Sequence, residues 1–397
     1  MYLLKLLFWA SLIIVFYSYV GYGFILWAML HIKKIFTNTS KGGVNTFEPF
    51  VTLIVTAYNE QDFIEKKIQN TLDLNYPQEK IQRLFVTDGS SDQTPDIIRK
   101  YTQIRLLHLN ERRGKVAAMH RAMGYVEHPI VIFCDANTLL NADSIKEIVK
   151  HYADPTVGGV AGEKKILKTN DSNIAGAGEG LYWKYESFLK KLDAEFYTVV
   201  GAAGELFSVR TALYENCGDH VILDDFVISL KICQKGYRFQ YEPGAYAMET
   251  PSMSIEDEQK RKIRISAGAF QAMYMLRDLL NVFKYPKLSF QYISHRVLRW
   301  SLCPLCLILL LIANLFLVIR GAGTFYQWAF ICQLVFYVAA VGNSILIKNN
   351  MNIKALYVPY YFLFMNLSLI QGFARFMRGR QTVLWEKAQR EKMESTV

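Results

Sequence analysis

The sequence predicts an α/β domain with a mostly parallel sheet, set between membrane-spanning helices. Three observations carry that expectation. Between positions 50 and 152, short β-branched runs alternate with helical segments of about ten residues, the pattern of βαβ units. Uncharged runs stand near both ends of the chain. Two of the middle strands deliver an aspartate to their carboxyl end, where ligands collect in the crevice beyond an α/β sheet.

Positions 6–30 carry no charged residue over 25 positions, which at helical rise exceeds the roughly 30 Å hydrocarbon core. A signal peptide would have an apolar region of about 7–15 residues leading to a small-residue cleavage site. This run is longer and holds aromatics throughout, so residues 1–34 are expected to be an uncleaved anchor. Residues 40–48 read as a linker into a soluble domain over 48–255.

Residues 50–56 (FVTLIVT) suit a strand buried on both faces. Phe63, Ile64, Ile68 and Leu72 mark a helix that ends at Asn75-Tyr76-Pro77. Residues 83–87 form the second strand, and Asp88-Gly89-Ser90-Ser91-Asp92 the turn that caps a helix over 94–101. The third strand covers 104–109, and Arg113-Gly114-Lys115 opens a helix reaching about Tyr125. A fourth strand, 129–134, ends at Asp135 and is followed by a helix over 141–152. Farther on, 181–192 and 226–234 read as helices.

Residues 256–296 begin dense in Lys and Arg. They continue with Phe270, Met273, Tyr274, Leu276, Leu279, Leu280 and Phe283 at helical spacing. An amphipathic helix in the membrane interface is the natural reading, and a surface helix docked on the domain the alternative. Within 297–375 lie three more uncharged runs, 300–319, 321–347 and 355–374, each long enough to span. His31, Lys33 and Lys34 follow the first span; Lys284, Lys287, Arg296 and Arg299 precede the next. By the positive-inside rule the domain of this integral membrane protein is cytoplasmic. Three further crossings put the tail, 376–397, outside, whereas six basic residues from Arg375 to Lys392 argue for inside. A re-entrant or interfacial segment among the three reconciles the two.

The net charge of +10 fits a chain held against anionic lipid. The basic residues flank apolar spans rather than forming a stripe, which excludes nucleic acid as the expected partner. Cys303 and Cys306 form a CxxC inside an apolar span without a second pair, so packing is their expected role.

Asp88 and Asp135 end strands of one sheet and should converge. A hard cation such as Mg²⁺ needs only one or two protein carboxylates when it also takes phosphate oxygens and waters. Arg113 and Lys115 suit a diphosphate, or are solvated surface charges. Asp224-Asp225 begins a helical run: one is an N-cap, or the adjacent carboxylates raise one pKa as a general base requires. Gly201-Ala202-Ala203-Gly204 permits close backbone approach to a ligand or simply a tight turn. Arg261 and Arg264 share a helix face, toward phosphate oxygens or toward lipid.

The ordered set TAYNE (56–60), DGSSDQT (88–94), RGK, DAN, GAAGELFSVR (201–210), LDD and RKIRISAG (261–268) resembles the membrane-anchored inverting family 2 glycosyltransferases, the group of the cellulose, hyaluronan and poly-N-acetylglucosamine synthases. The resemblance covers about residues 50–270. It implies an A-type nucleotide-sugar fold in which Thr56, Tyr58, Glu60 and Asp88 bind the nucleotide and Lys115 assists the diphosphate. Asp135 and Asn137 match a metal-binding Asp-x-Asp element, for Mg²⁺ or Mn²⁺. Asp225 matches the base of a Glu-Asp pair whose first member is here Asp224. Arg261, Arg264 and Ile265 match a Gln-x-x-Arg-Trp element near acceptor and diphosphate. Three positions depart from the pattern: Asn137 for Asp, Arg261 for Gln, and Ile265 for the Trp that supports the acceptor sugar. The implied activity is inverting transfer from a nucleotide-diphosphate sugar, with a UDP-sugar the expected donor, to a growing polysaccharide or lipid-linked acceptor. Single-sugar transfer to a lipid and a non-catalytic nucleotide-binding membrane partner are the alternatives. Nothing in the sequence points to a protein partner.

Overall fold

The computed structural model describes residues 1–36, 47–167, 174–250, 255–348 and 353–379. Most of the expected linker, and the tail beyond Gly379, lie outside the described residues.

An N-terminal helix runs as α1 (Tyr2–Phe16), a π-helical turn (Tyr17–Gly21) and α2 (Tyr22–Phe36). The domain follows as β1 (Val51–Ala57), α3 (Ile64–Leu72), β2 (Ile81–Asp88), α4 (Thr94–Arg99), β3 (Arg105–Leu109) and α5 (Lys115–Met123). Next come β4 (Ile130–Asp135), β5 (Leu139–Leu140), α6 (Ser144–Val149), β6 (Val157–Ile166) and α7 (Ile174–Phe196). β7 (Leu206–Arg210), α8 (Asp224–Gln234), β8 (Arg238–Glu249) and α9 (Ile255–Met275) complete it.

The strands form one sheet in the order β3-β2-β1-β4-β7-β6-β8-β5. β1 lies parallel between β2 and β4, and β2 parallel to β3. β7 then enters antiparallel between β4 and β6, so the sheet is mixed beyond its parallel half. The apolar run of β1 is explained by helices on both faces. Ile54 joins one core with Phe133, Phe207 and α8 residues, while Leu53 and Val55 join the other with Ile64, Ile68 and Ile145.

α7 extends well beyond the expected 181–192 and seats Leu189 and Leu192 on Tyr22, Leu26 and Leu30 of α2. The segment expected in the membrane interface begins with α9, whose Ser266, Ala267, Gly268 and Ala269 are buried. Ala272, Leu276 and Leu279 join the domain core, while Tyr274 and Phe283 are exposed. α10 (Pro286–Tyr292), a π-helical stretch (Ile293–Leu302) and α11 (Cys303–Ile319) make one long rod, followed by α12 (Thr324–Lys348) and α13 (Tyr357–Met377). Among the described residues three helices are long and apolar enough to cross a bilayer: Tyr2–Phe36, Pro286–Ile319 and Thr324–Ile347. Three later spans are expected from sequence, but two meet that measure. α13 interrupts its apolar run with Asn366, Gln371 and several tyrosines, and it packs along α9. Phe270 lies 5.0 Å from Phe373 between ring centroids, and a Cβ at Gly372 would stand 2.4 Å from that of Ser266. The six cysteines are unpaired thiols, Cys303 and Cys306 being packed in the apolar rod.

Candidate active site

β1 and β4 run in register, so Thr56 lies beside Asp135 at the carboxyl edge of the sheet. A cavity of about 1840 Å³ opens beyond that edge. Thr56, Tyr58, Glu60, Lys115, Asp135 and Asn137 line it from the strand ends, Asp224 and Asp225 from α8, and Arg261 and Arg264 from α9. Residues scattered over two hundred positions thus share one wall.

Asp88 does not line this cavity. It is buried, and its Oδ2 accepts hydrogen bonds from the backbone N–H of Arg113 (2.9 Å) and Gly114 (2.6 Å). Gly114 has φ +100°, a conformation that favours glycine. Arg113 sends its side chain to Glu111 at 2.6 Å in solvent, so of the two expected diphosphate cations Lys115 alone reaches the cavity. The TAYNE and DGSSD turns are tied together: Glu60 N–H donates to Thr94 Oγ1 (2.8 Å), and Gln61 N–H to Asp92 Oδ2 (3.1 Å). Asp92 is therefore a turn residue, as its local chemistry allows. Arg112 stacks on Tyr58, its guanidinium carbon 3.7 Å from the ring centroid.

Lys115 opens α5 and places Nζ 2.5 Å from Asp135 Oδ1 and 3.3 Å from the Gly204 carbonyl. Burial works against its charge, but Asp135, Asp224 and Asp225 outweigh burial and hold the ammonium's pKa above its ordinary value. Burial pushes the Asp135 carboxyl up, against the pull of Lys115.

Asp224 and Asp225 both fall in the first turn of α8, and Leu223 occupies the N-cap. The reading of one aspartate as a cap gives way: both sit where the helix N-terminus favours carboxylates. Asp225 Oδ1 accepts from the Phe226 N–H at 2.8 Å, and Asp224 Oδ2 is buried without a hydrogen-bond partner among the described residues. Burial, and then Asp224, push the Asp225 carboxyl up to about 7. Gly201 takes φ +92°, and a Cβ there would lie 2.1 Å from the Phe226 ring. At Gly204 a Cβ would approach Lys115 Nζ to 3.2 Å and Asp225 Oδ2 to 3.3 Å, so the glycine keeps the space between cation and carboxylate open.

On α9, Arg261 grips Glu258 with two hydrogen bonds of 3.0 and 3.1 Å. Arg264 makes no hydrogen bond or ion pair among the described residues, and burial pulls its pKa down. Its guanidinium is thus held ready for an anionic or carbonyl partner.

Sequence reasoning missed a second set. Lys164 Nζ lies 2.7 Å from Glu205 Oε1 and 2.6 Å from Glu249 Oε2, all three lining the cavity. Burial opposes ionisation of Glu205, but Lys164 outweighs it and brings its carboxyl down to about 2. The signal was present: β6 reads VGGVAGEKKI, and a charge at the end of so apolar a strand is buried only if paired. Toward the membrane helices the wall continues with Tyr19, Trp183, Glu186, Lys190, Arg296, Arg299 and Trp300. Glu186 accepts from Arg296 (2.9 Å) and Arg299, and His295 Nδ1 lies 2.5 Å from Asp193 Oδ2. Among the described residues no group of three or more His, Cys, Asp or Glu is placed to hold a metal by itself.

Residues 52–218 match the model of Glycosyl transferase family 2. Curated relatives include poly-beta-1,6-N-acetyl-D-glucosamine synthase of Staphylococcus aureus, 27% identical over 245 residues, which cover 59% of this chain and 57% of the synthase. Beta-monoglucosyldiacylglycerol synthase of Trichormus variabilis is 27% identical over 200 residues, 46% of this chain and 41% of that one. The chain therefore spans about half the length of the curated relatives it matches. A solved mannosyltransferase from Pyrobaculum calidifontis, in complex with GDP-Man and Mn²⁺, shares the fold with a TM-score of 0.68 at 22% identity, covering 95% of this chain and 100% of that one. The match to glycosyltransferase family 2 thus spans the strands that build the crevice, in a chain that shares its fold with a solved mannosyltransferase and is flanked by helices long and apolar enough to cross a membrane.

Proposed function

We propose that the protein is an inverting glycosyltransferase that moves sugar from a nucleotide-diphosphate sugar, most simply a UDP-sugar, to a growing polysaccharide or lipid-linked acceptor at the membrane. The observation that carries this reading is Asp225, a cavity carboxylate with its pKa near 7, facing the same space as the cations Lys115 and Arg264. A base tuned near neutrality takes a hydroxyl proton, and fixed cations receive the charge that leaves.

In this mechanism an acceptor hydroxyl oxygen attacks the anomeric carbon of the donor, and its proton passes to an oxygen of Asp225. The bond from that carbon to the diphosphate oxygen breaks, and the nucleoside diphosphate leaves with the electron pair. One displacement inverts the carbon. Lys115 and Arg264 stabilise the departing diphosphate, while Thr56, Tyr58 and Glu60 border the nucleotide. Asp88 uses its Oδ2 to shape the 113–114 backbone, which leaves its buried Oδ1 for the nucleotide.

Asp135 and Asn137 suit Mg²⁺ or Mn²⁺: a strand-end carboxylate and an amide oxygen two residues on, both lining the cavity. Such an ion also takes phosphate oxygens and waters, so a cluster of three protein ligands is not required. When bound it supplies charge neutralisation to the diphosphate.

Two crossings after the domain return α13 to the domain's side, and by the positive-inside rule the basic flanks make that side the cytoplasm. Single-sugar transfer remains the second reading, favoured by the cavity-lining side chains of α9, which include Ile265 and no aromatic ring. Purified full-length protein incubated with a panel of nucleotide sugars, followed by product mass analysis, tests both. Release of nucleoside diphosphate with a new glycoside is expected, and product length separates polymer from single transfer. Consumption of no nucleotide sugar overturns the proposal.

A further inference from the structure

Lys190 on α7 is 4% exposed, lines the cavity, and makes no hydrogen bond or ion pair among the described residues. A buried ammonium without a partner is costly unless a ligand supplies one. Its neighbours are aromatic: Nζ lies 5.5 Å from the Trp183 ring centroid and 6.0 Å from that of Tyr241. The carboxylates that feel its charge are engaged elsewhere. Glu163 accepts from Ser187 at 2.5 Å, Glu186 holds Arg296 and Arg299, and Glu205 holds Lys164. Arg296 also faces it electrostatically.

We propose that Lys190 and Trp183 form the acceptor-saccharide subsite, where a pyranose of the acceptor lays its C–H face on the indole and gives a hydroxyl oxygen to the ammonium. This rests on the transferase reading of the same cavity. Mixed charge decides the class of ligand. Glu186 and Glu205 share the wall with Lys190, so a phosphate there meets carboxylates as well as cations, whereas a sugar rim both donates and accepts. An indole combines an apolar face with a single donor, which suits a ring that is apolar in plane and polar at its edge. The location agrees with the task. α7 packs on the N-terminal membrane helix through Leu189 and Leu192, and Tyr185 donates to the Tyr19 carbonyl, so a chain bound here lies between the membrane helices and Asp225.

The test titrates full-length protein in detergent with three trisaccharides, built of β-1,6-linked N-acetylglucosamine, β-1,4-linked glucose and α-linked mannose, and separately with inorganic phosphate. One trisaccharide is expected to bind, and Lys190→Met and Trp183→Leu each to weaken it by about tenfold or more. Trp183→Phe should recover most of the loss. Affinity for UDP or GDP, whichever the unsubstituted protein binds, should stay within about twofold, showing that the variants are folded. Three results overturn the subsite: no trisaccharide binds the unsubstituted protein, neither variant weakens binding, or phosphate competes with the sugar. Trisaccharide binding with no nucleotide sugar consumed instead removes the transferase reading and leaves the saccharide site standing.

Discussion

Lys115 Nζ stands 2.5 Å from Asp135 Oδ1, so the cation proposed for the diphosphate and the carboxylate proposed for the metal neutralise each other across the cavity. Each opposes what burial does to the other: without Lys115, Asp135 would lose the main force opposing its protonation. In the proposed mechanism a donor diphosphate entering with its own cation replaces both partners at once.

That exchange sets the first prediction. Lys115→Met should raise the donor KM and lower kcat by about 10²-fold, the scale of removing one fixed charge donor from a developing anion. Lys115→Arg should recover part of the loss, because it restores the charge but not the compact ammonium that fits between Asp135 and Gly204. Steady-state kinetics over donor concentration reads both, and unchanged constants in the methionine variant would remove Lys115 from the diphosphate site.

Asp225 gives the second. Its carboxyl is raised from 3.8 to about 7, so transfer should climb with pH through that value as the base loses its proton. Stability should move the other way. A pKa raised on folding stabilises most below the unfolded value of about 4, and that contribution is lost as pH rises through 7. Asp225→Asn should therefore abolish turnover by about 10²–10⁴-fold, keep nucleotide affinity, and melt higher than the unsubstituted protein at pH 8. Near-normal turnover in this variant would transfer the role to Asp224.

The third concerns the metal. A chelator should abolish transfer, and added Mg²⁺ or Mn²⁺ should restore it. Asp135→Ala should remain inactive in excess metal, since one of at most two protein ligands is gone. Calorimetric titration of Mn²⁺ in the presence of the nucleoside diphosphate gives an independent readout: binding in Asp135→Ala equal to the unsubstituted protein would place the ion elsewhere.

Much of this site was legible because its residues stand at strand ends or helix starts, where local pattern fixes position. Thr56, Asp135, Lys115 and Asp225 each follow or open a regular element, and the parallel register of β1 and β4 brings the first two together. Asp88 follows the same rule yet misses the cavity, because the φ of Gly114 turns two amides toward its carboxylate, a relation set by one backbone angle. Lys164 comes from β6, Glu205 from the turn just before β7 and Glu249 from the end of β8, and they pair only through the mixed half of the sheet. Charge pattern shows that each needs a partner and not which one. The direction of β7 left no trace in side-chain pattern, since a strand buried on both faces reads alike in either sense. α13 read as a span because its uncharged length suffices; its polar residues and its fit against α9 set it apart.

Arg264 carries the fourth prediction. It lines the cavity without a hydrogen-bond or ion-pair partner among the described residues, whereas Arg261, three residues earlier, is occupied by Glu258. Arg264→Lys keeps the charge and loses the planar fork, so kcat should drop by about tenfold or more if the guanidinium holds two oxygens of the diphosphate. Arg261→Lys should act mainly on thermal stability. Full activity in Arg264→Lys would leave this arginine as a membrane-side charge.

The last prediction concerns how the domain is fixed to its membrane helices. Glu186 on α7 accepts from Arg296 and Arg299, both carried by the π-helical stretch of the rod, while Asp193 one turn pair further holds His295 and Tyr22. Burial opposes the Glu186 charge, but Arg299 and Arg296 outweigh it and hold the carboxyl well below the usual carboxylate range. Its stabilisation is thus present above the unfolded value of about 4.3 and is lost only under strong acid. Glu186→Gln leaves two buried guanidiniums without their counter-charge, a change that costs about 3–5 kcal/mol in comparable buried pairs. Thermal melting in detergent at neutral pH should therefore fall sharply in Glu186→Gln. The substitution Lys34→Gln breaks an exposed pair with Glu195 (2.6 Å), worth about 1 kcal/mol or less, and should barely move the same transition. Equal melting of the two variants would show that the buried cluster does not anchor α7, and that apolar packing of Leu189 and Leu192 on α2 suffices.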